Sequence, residues 1–153
     1  MNHAAPDVRV LSDLVLDFNG TMARDGELLV GVAPRIRELA AHLRIHVVTG
    51  DTFGHARAAL HGLPCQIEVL GPHDQAQAKL AYVKALGCER VACIGNGLND
   101  RLMMQEVALG IAVIQAEGAS PQTLMASDVV APTICDALDL LLHPLRLVAT
   151  LRT

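Results

Sequence analysis

The stretch Leu14-Val15-Leu16-Asp17-Phe18-Asn19-Gly20-Thr21 decides the fold of this chain and points to its chemistry. A short apolar run, typical of a buried strand, brings one acidic residue to its last position, and a Gly-Thr turn follows at once. We therefore expect the Asp17 carboxylate at the carboxyl end of a buried strand, beside backbone N–H groups. A carboxylate in that position suits a covalent nucleophile that attacks phosphorus.

Short aliphatic runs alternate with helical patterns along the whole sequence. The strand candidates are Leu14–Phe18, Ile45–Thr49, Gln66–Leu70, Val91–Gly95, Leu109–Ile114 and Asp128–Ala131. The helix candidates are Ala33–His42, Phe53–Leu60, Asp74–Leu86, Asp100–Val107, Ser120–Met125 and Thr133–Leu141. This alternation predicts an α/β fold of three layers (α/β/α, Rossmann-like), with a mainly parallel sheet covered on both faces. The length of 153 residues favours a single domain over 1–153.

Two connections between predicted elements are too short to contain more than a hairpin or a loop. Asp25-Gly26, between short flanks, is a hairpin signal and predicts a β-flap at about residues 22–31. Between Leu70 and Gln75 there is only a loop. Neither place can hold an inserted cap domain. The tail, residues 142–153, is amphipathic and could dock on the body of the protein or on another subunit.

The composition excludes several function classes. A net charge of −4, with scattered Lys and Arg, argues against a nucleic-acid partner. No apolar run approaches the ~20 residues of a membrane span, which argues against membrane insertion. The amino terminus lacks the apolar segment of a signal peptide, so a cytoplasmic location is expected.

Polar clusters follow four of the predicted strands. They are Asp17 to Thr21, Thr49-Gly50-Asp51, Lys79 in the helix after the third strand, and Gly95-Asn96-Gly97-Leu98-Asn99-Asp100. Ligands of open α/β sheets bind outside the carboxyl ends of the strands. Four clusters in this order predict one shared site at that edge of the sheet.

This order of clusters resembles the haloacid dehalogenase (HAD) superfamily of phosphohydrolases and phosphotransferases. Asp17 matches the nucleophile of the family's Asp-x-Asp-x-Thr motif, and Thr49 matches the hydroxyl residue that binds the phosphoryl group. Lys79 matches the family's basic residue. Asn96 and Asp100 match the acidic pair after the fourth strand.

One branch of the superfamily is more similar than the rest. The segments Thr49-Gly50-Asp51 and Gly95 to Asp100 look like those of P-type ATPase phosphorylation domains, and so does the run from Gly118 to Val130. The likeness to the superfamily as a whole extends from about Leu14 to Leu141. Without a membrane span or an inserted nucleotide domain, the chain resembles a soluble, capless P-type-ATPase-like hydrolase.

The resemblance implies a phosphatase or phosphotransferase mechanism. Asp17 would form an aspartyl phosphate with the help of Mg²⁺, which prefers oxygen ligands. The candidate metal ligands are the Asp17 carboxylate, the backbone carbonyl of Asn19, and Asn96 or Asp100.

A second group of residues would bind the phosphoryl group of a phosphorylated substrate. The Thr49 hydroxyl and the Lys79 ammonium group would hold its oxygens, together with the backbone N–H groups of Gly20, Thr21 and Gly50. Lys79 would also offset the negative charge that raises the pKa of Asp17.

Two residues depart from the family pattern. Asn19 stands where phosphatases carry a second acid, and an amide cannot exchange a proton as a general acid or base. P-type ATPases have Thr there and a long-lived aspartyl phosphate, so the resemblance implies slow dephosphorylation. Asn96 replaces a metal-binding acid, and its uncharged amide oxygen should bind Mg²⁺ more weakly.

Several alternatives stay open. Asp51 either contacts phosphate or caps the next helix. Lys79 is either part of the site or a solvated lysine on the helix surface. Asp100 either serves the metal site or is an acidic residue that interacts favourably with the dipole at a helix N-terminus. The two amides equally suit a non-catalytic phospho-ligand sensor, and the ATPase-like motifs suit a regulatory partner of a cation-transport system. Capless relatives often oligomerise, so a homo-oligomer (dimer or tetramer) is expected to complete the site.

Overall fold

Eight strands run through the part of the chain that the computed structural model describes, residues 6–51 and 53–153. They are β1 (Asp13–Leu16), β2 (Ala23–Arg24), β3 (Glu27–Leu28), β4 (Arg44–Thr49), β5 (Gln66–Val69), β6 (Val91–Gly95), β7 (Leu109–Val113) and β8 (Val129–Ala131). Six of them form one sheet in the order β5-β4-β1-β6-β7-β8, with every neighbouring pair parallel.

The helices connect these strands. They are α1 (Val32–Leu39), α2 (His55–Ala59), α3 (Gln75–Leu86), α4 (Arg101–Glu106), α5 (Pro121–Ala126), α6 (Ile134–Leu142) and α7 (Pro144–Leu151), with short 3₁₀ turns at Val8–Val10, Cys88–Arg90 and Leu98–Asp100. No helix in residues 6–51 and 53–153 combines the length and apolar character that a membrane crossing requires.

Strand β1 lies in the middle of the sheet, and its side chains point alternately to two apolar cores. Leu14 and Leu16 belong to the core that α1 and α6 cover, whereas Val15 belongs to the core beneath α3 and α4. Because both faces of the sheet are covered, all four residues of β1 are buried. The predicted three-layer α/β fold with a parallel sheet is confirmed.

Two predicted boundaries differ from the structure near the site. Strand β1 ends at Leu16 rather than Phe18, although the N–H of Asp17 still donates to Ile94 O (3.1 Å). Helix α2 begins at His55, because Gly54 adopts a left-handed conformation (φ 81°) before it.

The predicted flap is a two-residue hairpin between β2 and β3. Its turn residues, Asp25 (φ 51°) and Gly26 (φ 82°), both have positive φ, as a type I′ turn requires. The tail docks on the body of the protein through Leu147, which is buried in the core, while Leu145 and Val148 of the same helix are exposed.

Candidate active site

The end of strand β1 places the Asp17 carboxylate at the floor of a cavity. Directly after Asp17 the chain turns, because Phe18 O accepts the N–H groups of Thr21 (3.2 Å), Met22 (3.0 Å) and Ala23 (3.0 Å). The side chain of Asp17 is 12% exposed. It is therefore shielded by the surrounding loops and still open to a reactant.

The ammonium group of Lys79, on helix α3, lies between two carboxylates. Its Nζ donates to Asp17 Oδ1 (2.9 Å) and to Asp100 Oδ1 (2.7 Å), and its side chain is 1% exposed. Lys79 is thus a buried part of the site and not a solvated surface lysine.

The three charges change each other's pKa values. Burial and the nearby Asp100 charge raise the pKa of Asp17 to about 7, in spite of the opposing effect of Lys79. Burial alone would lower the pKa of Lys79, but attraction to both carboxylates outweighs it and raises that pKa to about 12. Because its pKa is raised, Lys79 stays charged. Because it is shared by two carboxylates, it offsets the effects that raise the pKa of Asp17 only in part.

Asp100 organises the loop after strand β6. Its Oδ2 accepts the backbone N–H groups of Asn96 and Gly97, both at 3.0 Å, while Oδ1 accepts Lys79. The side chain is fully buried. These contacts suit a positioning role, and they favour Asn96 over Asp100 as the residue that faces a cation.

The amide of Asn96 has a defined orientation. Its Nδ2 donates to Gly118 O (3.0 Å), and a carbonyl can only accept, so Oδ1 must point the other way. Thr21 Oγ1 lies 3.3 Å from Asn96 Oδ1 and 3.3 Å from Asp17 Oδ2. One carboxylate oxygen and one amide oxygen therefore approach the same buried hydroxyl group.

Asn19 joins the loop that follows Asp17 to the flap. Its Oδ1 accepts the backbone N–H of Gly26 at 3.1 Å. Asn19 is exposed and lines the cavity beside Asp17. Its contact with the flap was not expected from the sequence.

The end of strand β4 and the residues directly after it line the cavity and hold the start of helix α2. Thr49 Oγ1 accepts the N–H of Asp51 (3.1 Å), and Thr49 and Gly50 line the cavity. The Asp51 carboxylate accepts the N–H groups of Ala56 (2.7 Å) and Phe53 (3.2 Å), and the first of these contacts lowers its pKa most. Asp51 thus holds the start of α2, the second of the two alternatives left open for it.

The cavity has a volume of about 490 Å³. Its lining residues are Asp17, Asn19, Thr49, Gly50, Asp51, Phe53, His55, Gln75, Asn96, Gly97, Asn99 and Glu117. Lys79, Thr21 and Asp100 are buried directly behind these residues. Gly20 lines an adjoining cavity of about 380 Å³, which shares Glu117 with the first.

Three polar residues of the site were missed by the sequence analysis. Gln75 Oε1 accepts Asn99 Nδ2 (3.0 Å), Gln115 Nε2 donates to Gly20 O (3.1 Å) and Thr21 O (2.7 Å), and Glu117 lines both cavities. Gln115 and Glu117 follow strand β7, so the strand-end rule applied to the first four clusters would have found them.

No group of three or more His, Cys, Asp or Glu side chains in residues 6–51 and 53–153 is arranged to hold a metal ion. A cation here would need the mixed set of one carboxylate and one amide oxygen described above. Mg²⁺ accepts such a set, since it binds few protein oxygens and keeps several waters. The donor chemistry therefore fits a hard divalent cation.

Comparisons with known proteins show which class of fold the chain has. No protein-family model matches the chain. Among solved structures, a Legionella pneumophila protein assigned to the HAD superfamily (subfamily III A) hydrolases has a TM-score of 0.74 at 21% identity, covering 94% of this chain and 88% of that one. The fold of the chain is that of the HAD superfamily, which confirms the resemblance at the level of the fold.

Two further structures are 3-deoxy-D-manno-octulosonate 8-phosphate phosphatases. The one from Moraxella catarrhalis, in complex with magnesium, phosphate and KDO, has a TM-score of 0.74 at 18% identity, covering 89% of this chain and 88% of that one. The cobalt-bound one from Haemophilus influenzae has a TM-score of 0.73 at 18% identity, covering 89% and 90%.

A more similar sequence comes from Methanocaldococcus jannaschii. An uncharacterised protein of that organism is 47% identical over 79 residues, which are 49% of this chain and 85% of the other. The chain belongs to the same family as this protein.

Proposed function

We propose that the chain is a phosphohydrolase of the phosphatase or phosphotransferase type, working through an aspartyl phosphate on Asp17. One observation carries the proposal: the Asp17 carboxylate lies at the floor of an open cavity with the Lys79 ammonium group 2.9 Å away. The HAD fold and the phosphatases among its structural neighbours support it.

In the first step, an Asp17 carboxylate oxygen forms a bond to phosphorus as the bond from phosphorus to the leaving oxygen breaks. The leaving oxygen departs with the bonding electron pair and takes a proton from water, because Asn19 carries none to give. Lys79 offsets the charge near the phosphoryl group, and the Thr49 hydroxyl and the N–H group of Gly50 are its proposed donors. The N–H groups of Gly20 and Thr21, which the sequence also suggested, already donate to Ala23 O (2.8 Å) and Phe18 O (3.2 Å). Good leaving groups should therefore react best.

In the second step, water attacks the phosphorus of the aspartyl phosphate and releases the Asp17 carboxylate and phosphate. A general base for that water is worth roughly 10²–10⁴ in rate. The residue at the usual place is Asn19, whose amide cannot accept the proton. We therefore expect a phosphoenzyme that forms more readily than it hydrolyses, as the resemblance to P-type ATPases also implies.

The proposed cofactor is Mg²⁺, held by the Asp17 carboxylate, the Asn96 amide oxygen and the backbone carbonyl of Asn19. When bound, the cation would neutralise charge between the carboxylate and the phosphoryl oxygens. The magnesium and cobalt ions in the two phosphatase structures support a divalent cation. Asp100, which the sequence also suggested as a ligand, is proposed to act indirectly, by positioning Lys79 and the backbone of Asn96 and Gly97.

The direct test is phosphorylation of Asp17. The protein is incubated with a reactive acyl phosphate and Mg²⁺, and the modified peptide is located by mass spectrometry. We expect one phosphoryl group on Asp17, none in Asp17→Asn, and slow release of phosphate. No adduct and no turnover in the wild type, with Asp17→Asn behaving identically, would overturn the proposal.

A second candidate function is a non-catalytic phospho-ligand sensor. The observation that favours it is the pair of amides, Asn19 and Asn96, lining the cavity where acids are expected. It predicts saturable binding of inorganic phosphate or an aryl phosphate without any Asp17 adduct. A regulatory link to cation transport, a cytoplasmic location and a homo-oligomeric state stay predictions from the sequence.

A further inference from the structure

A carboxylate outside the recognised motifs, that of Glu117, lines the cavity that contains the proposed cation site. We propose that Glu117 supplies the second carboxylate of that site, in place of the acid that Asn96 replaces. This inference rests on the proposed function, because it concerns the cation that the phosphoryl transfer uses. It assigns a role to a residue for which the sequence motifs gave none.

The position of Glu117 is the first argument. It lies in the loop after strand β7 and lines the cavity together with Asp17, Asn19 and Asn96. A β-carbon placed on Gly20 would overlap Glu117 Oε2 and would lie 2.7 Å from Asn96 Nδ2 and 3.0 Å from Asn96 Oδ1. The side chains of Glu117 and Asn96 thus both approach the backbone of Gly20, in the loop that follows Asp17.

The loop that carries Glu117 is held on both sides. Before it, Gln115 Nε2 donates to the carbonyls of Gly20 (3.1 Å) and Thr21 (2.7 Å). After it, Gly118 O accepts Asn96 Nδ2 (3.0 Å), and Gly118 N donates to Gln115 O (2.8 Å). These bonds tie the backbone around Glu117 to the loop that follows Asp17 and to Asn96, the two places from which cation ligands are expected.

The charge of the site is the second argument. Asp17 and Asp100 carry two negative charges and Lys79 one positive charge, whereas the amide of Asn96 adds none. A divalent cation binds more tightly as the number of charged oxygen ligands rises. With Glu117, the ionised site would carry two negative charges, which match the charge of the cation.

The other carboxylates near the site are engaged elsewhere. Among the described residues that line the cavity, the carboxylates are Asp17, Asp51 and Glu117. Asp51 accepts two N–H groups at the start of α2, and Asp100, behind the cavity, accepts Lys79 and two N–H groups. That leaves Glu117, which is exposed and lines the cavity together with Asp17.

The experiment measures cation binding directly, with Mn²⁺ as the probe. Binding to the metal-free full chain is followed by loss of the electron paramagnetic resonance signal of free Mn²⁺, and by the rise in Tm that Mn²⁺ causes. We expect Glu117→Gln to weaken binding about tenfold or more. The matched control is Glu89→Gln, an exposed glutamate in the turn before β6, which should leave the affinity unchanged.

Restoring the missing acid is the second arm. Asn96→Asp in the Glu117→Gln background should recover most of the lost Mn²⁺ affinity, because it returns one carboxylate to the site. Equal affinity of the wild type and Glu117→Gln, or no Mn²⁺ binding by the wild type, would overturn the assignment of Glu117. Absence of Asp17 phosphorylation, with the affinity difference intact, would instead overturn the proposed function and leave Glu117 as a cation ligand.

Discussion

The side-chain oxygen of Asn19 accepts a hydrogen bond of 3.1 Å from the backbone N–H of Gly26, at the turn of the flap. Asn19 follows Asp17, the proposed nucleophile, by two residues, so this bond ties the flap to the loop after Asp17. An aspartate would keep an acceptor for Gly26 and would add the proton-exchanging group that the site lacks. The substitution Asn19→Asp should therefore change proton transfer at the site while it keeps the hydrogen bond that holds the flap.

The first prediction concerns the lifetime of the phosphoenzyme. Asn19→Asp should speed hydrolysis of the Asp17 phosphoryl group by about tenfold or more, because a positioned carboxylate can take the proton of the attacking water. The measurement is the decay of phosphorylated protein after the phosphoryl donor is removed. Asn99→Asp places the same charge in the same cavity and should not speed the decay. Equal decay in Asn19→Asp and the wild type would show that the second step is limited elsewhere.

Much of the fold and part of the site follow from local sequence patterns. The buried runs ending at Asp17, Thr49 and Gly95 predict neighbouring parallel strands whose carboxyl ends meet, and Lys79 then falls on the helix that faces them. These predictions succeed because strand burial and strand-end geometry depend on short segments. They do not require any knowledge of which loops contact each other.

The contacts that the sequence did not predict are between loops. Asn19 reaches Gly26, and Gln115 reaches Gly20, across turns whose conformation depends on positive φ at specific residues. Glu117 belongs to no recognised motif, and only the order of β6 and β7 in the sheet brings it to Asn96. Such pairings depend on tertiary packing and register, which single-sequence patterns do not specify.

The second prediction concerns the buried charges. Lys79→Met leaves the Asp17 and Asp100 carboxylates close together without a cation, which should reduce the free energy of unfolding by about 3–5 kcal/mol at pH 7. Urea denaturation of metal-free protein measures it. Lys84→Met, an exposed lysine on the same helix, should change stability little. A loss in Lys79→Met no greater than in Lys84→Met would contradict a structural role for the three-residue charge cluster.

The third prediction follows from the raised pKa of Asp17. Its folded-state pKa of about 7 lies above the unfolded value of about 4, so the folded protein binds more protons between these values and its stability falls as pH rises through that window. Asp17→Asn removes the effect. In chelator-treated protein its Tm should exceed that of the wild type at pH 8, on the order of 5 °C, and the difference should shrink towards pH 5. A constant difference across pH 5–8 would contradict this assignment.

A second buried polar cluster lies at the opposite end of strand β1. Asp13 accepts Arg44 Nη2 (2.9 Å), Ser12 Oγ (2.6 Å) and His46 Nε2 (2.7 Å), and its side chain is fully buried. A carboxylate only accepts, so His46 carries its proton on Nε2, and in neutral His46 Nδ1 accepts the Tyr82 hydroxyl (2.8 Å). Burial alone would raise the pKa of Asp13, but these hydrogen bonds outweigh it and lower that pKa.

The fourth prediction tests this cluster by acid titration. A carboxyl whose pKa is lower in the folded than in the unfolded state stabilises the fold above pH ~4, and that contribution is lost as the pH falls below the unfolded value. Asp13→Asn should therefore cost about 2–4 kcal/mol at pH 7, and the urea midpoints of variant and wild type should converge towards pH 3. Asp7→Asn is the control, since the pKa of Asp7 is also lowered, by Arg9, but the pair is exposed and only two residues apart in sequence. The urea midpoints of Asp7→Asn should follow those of the wild type at every pH. If the difference in midpoint between Asp13→Asn and the wild type stays constant from pH 7 to pH 3, the charge of the Asp13 carboxylate is not what stabilises this end of the sheet.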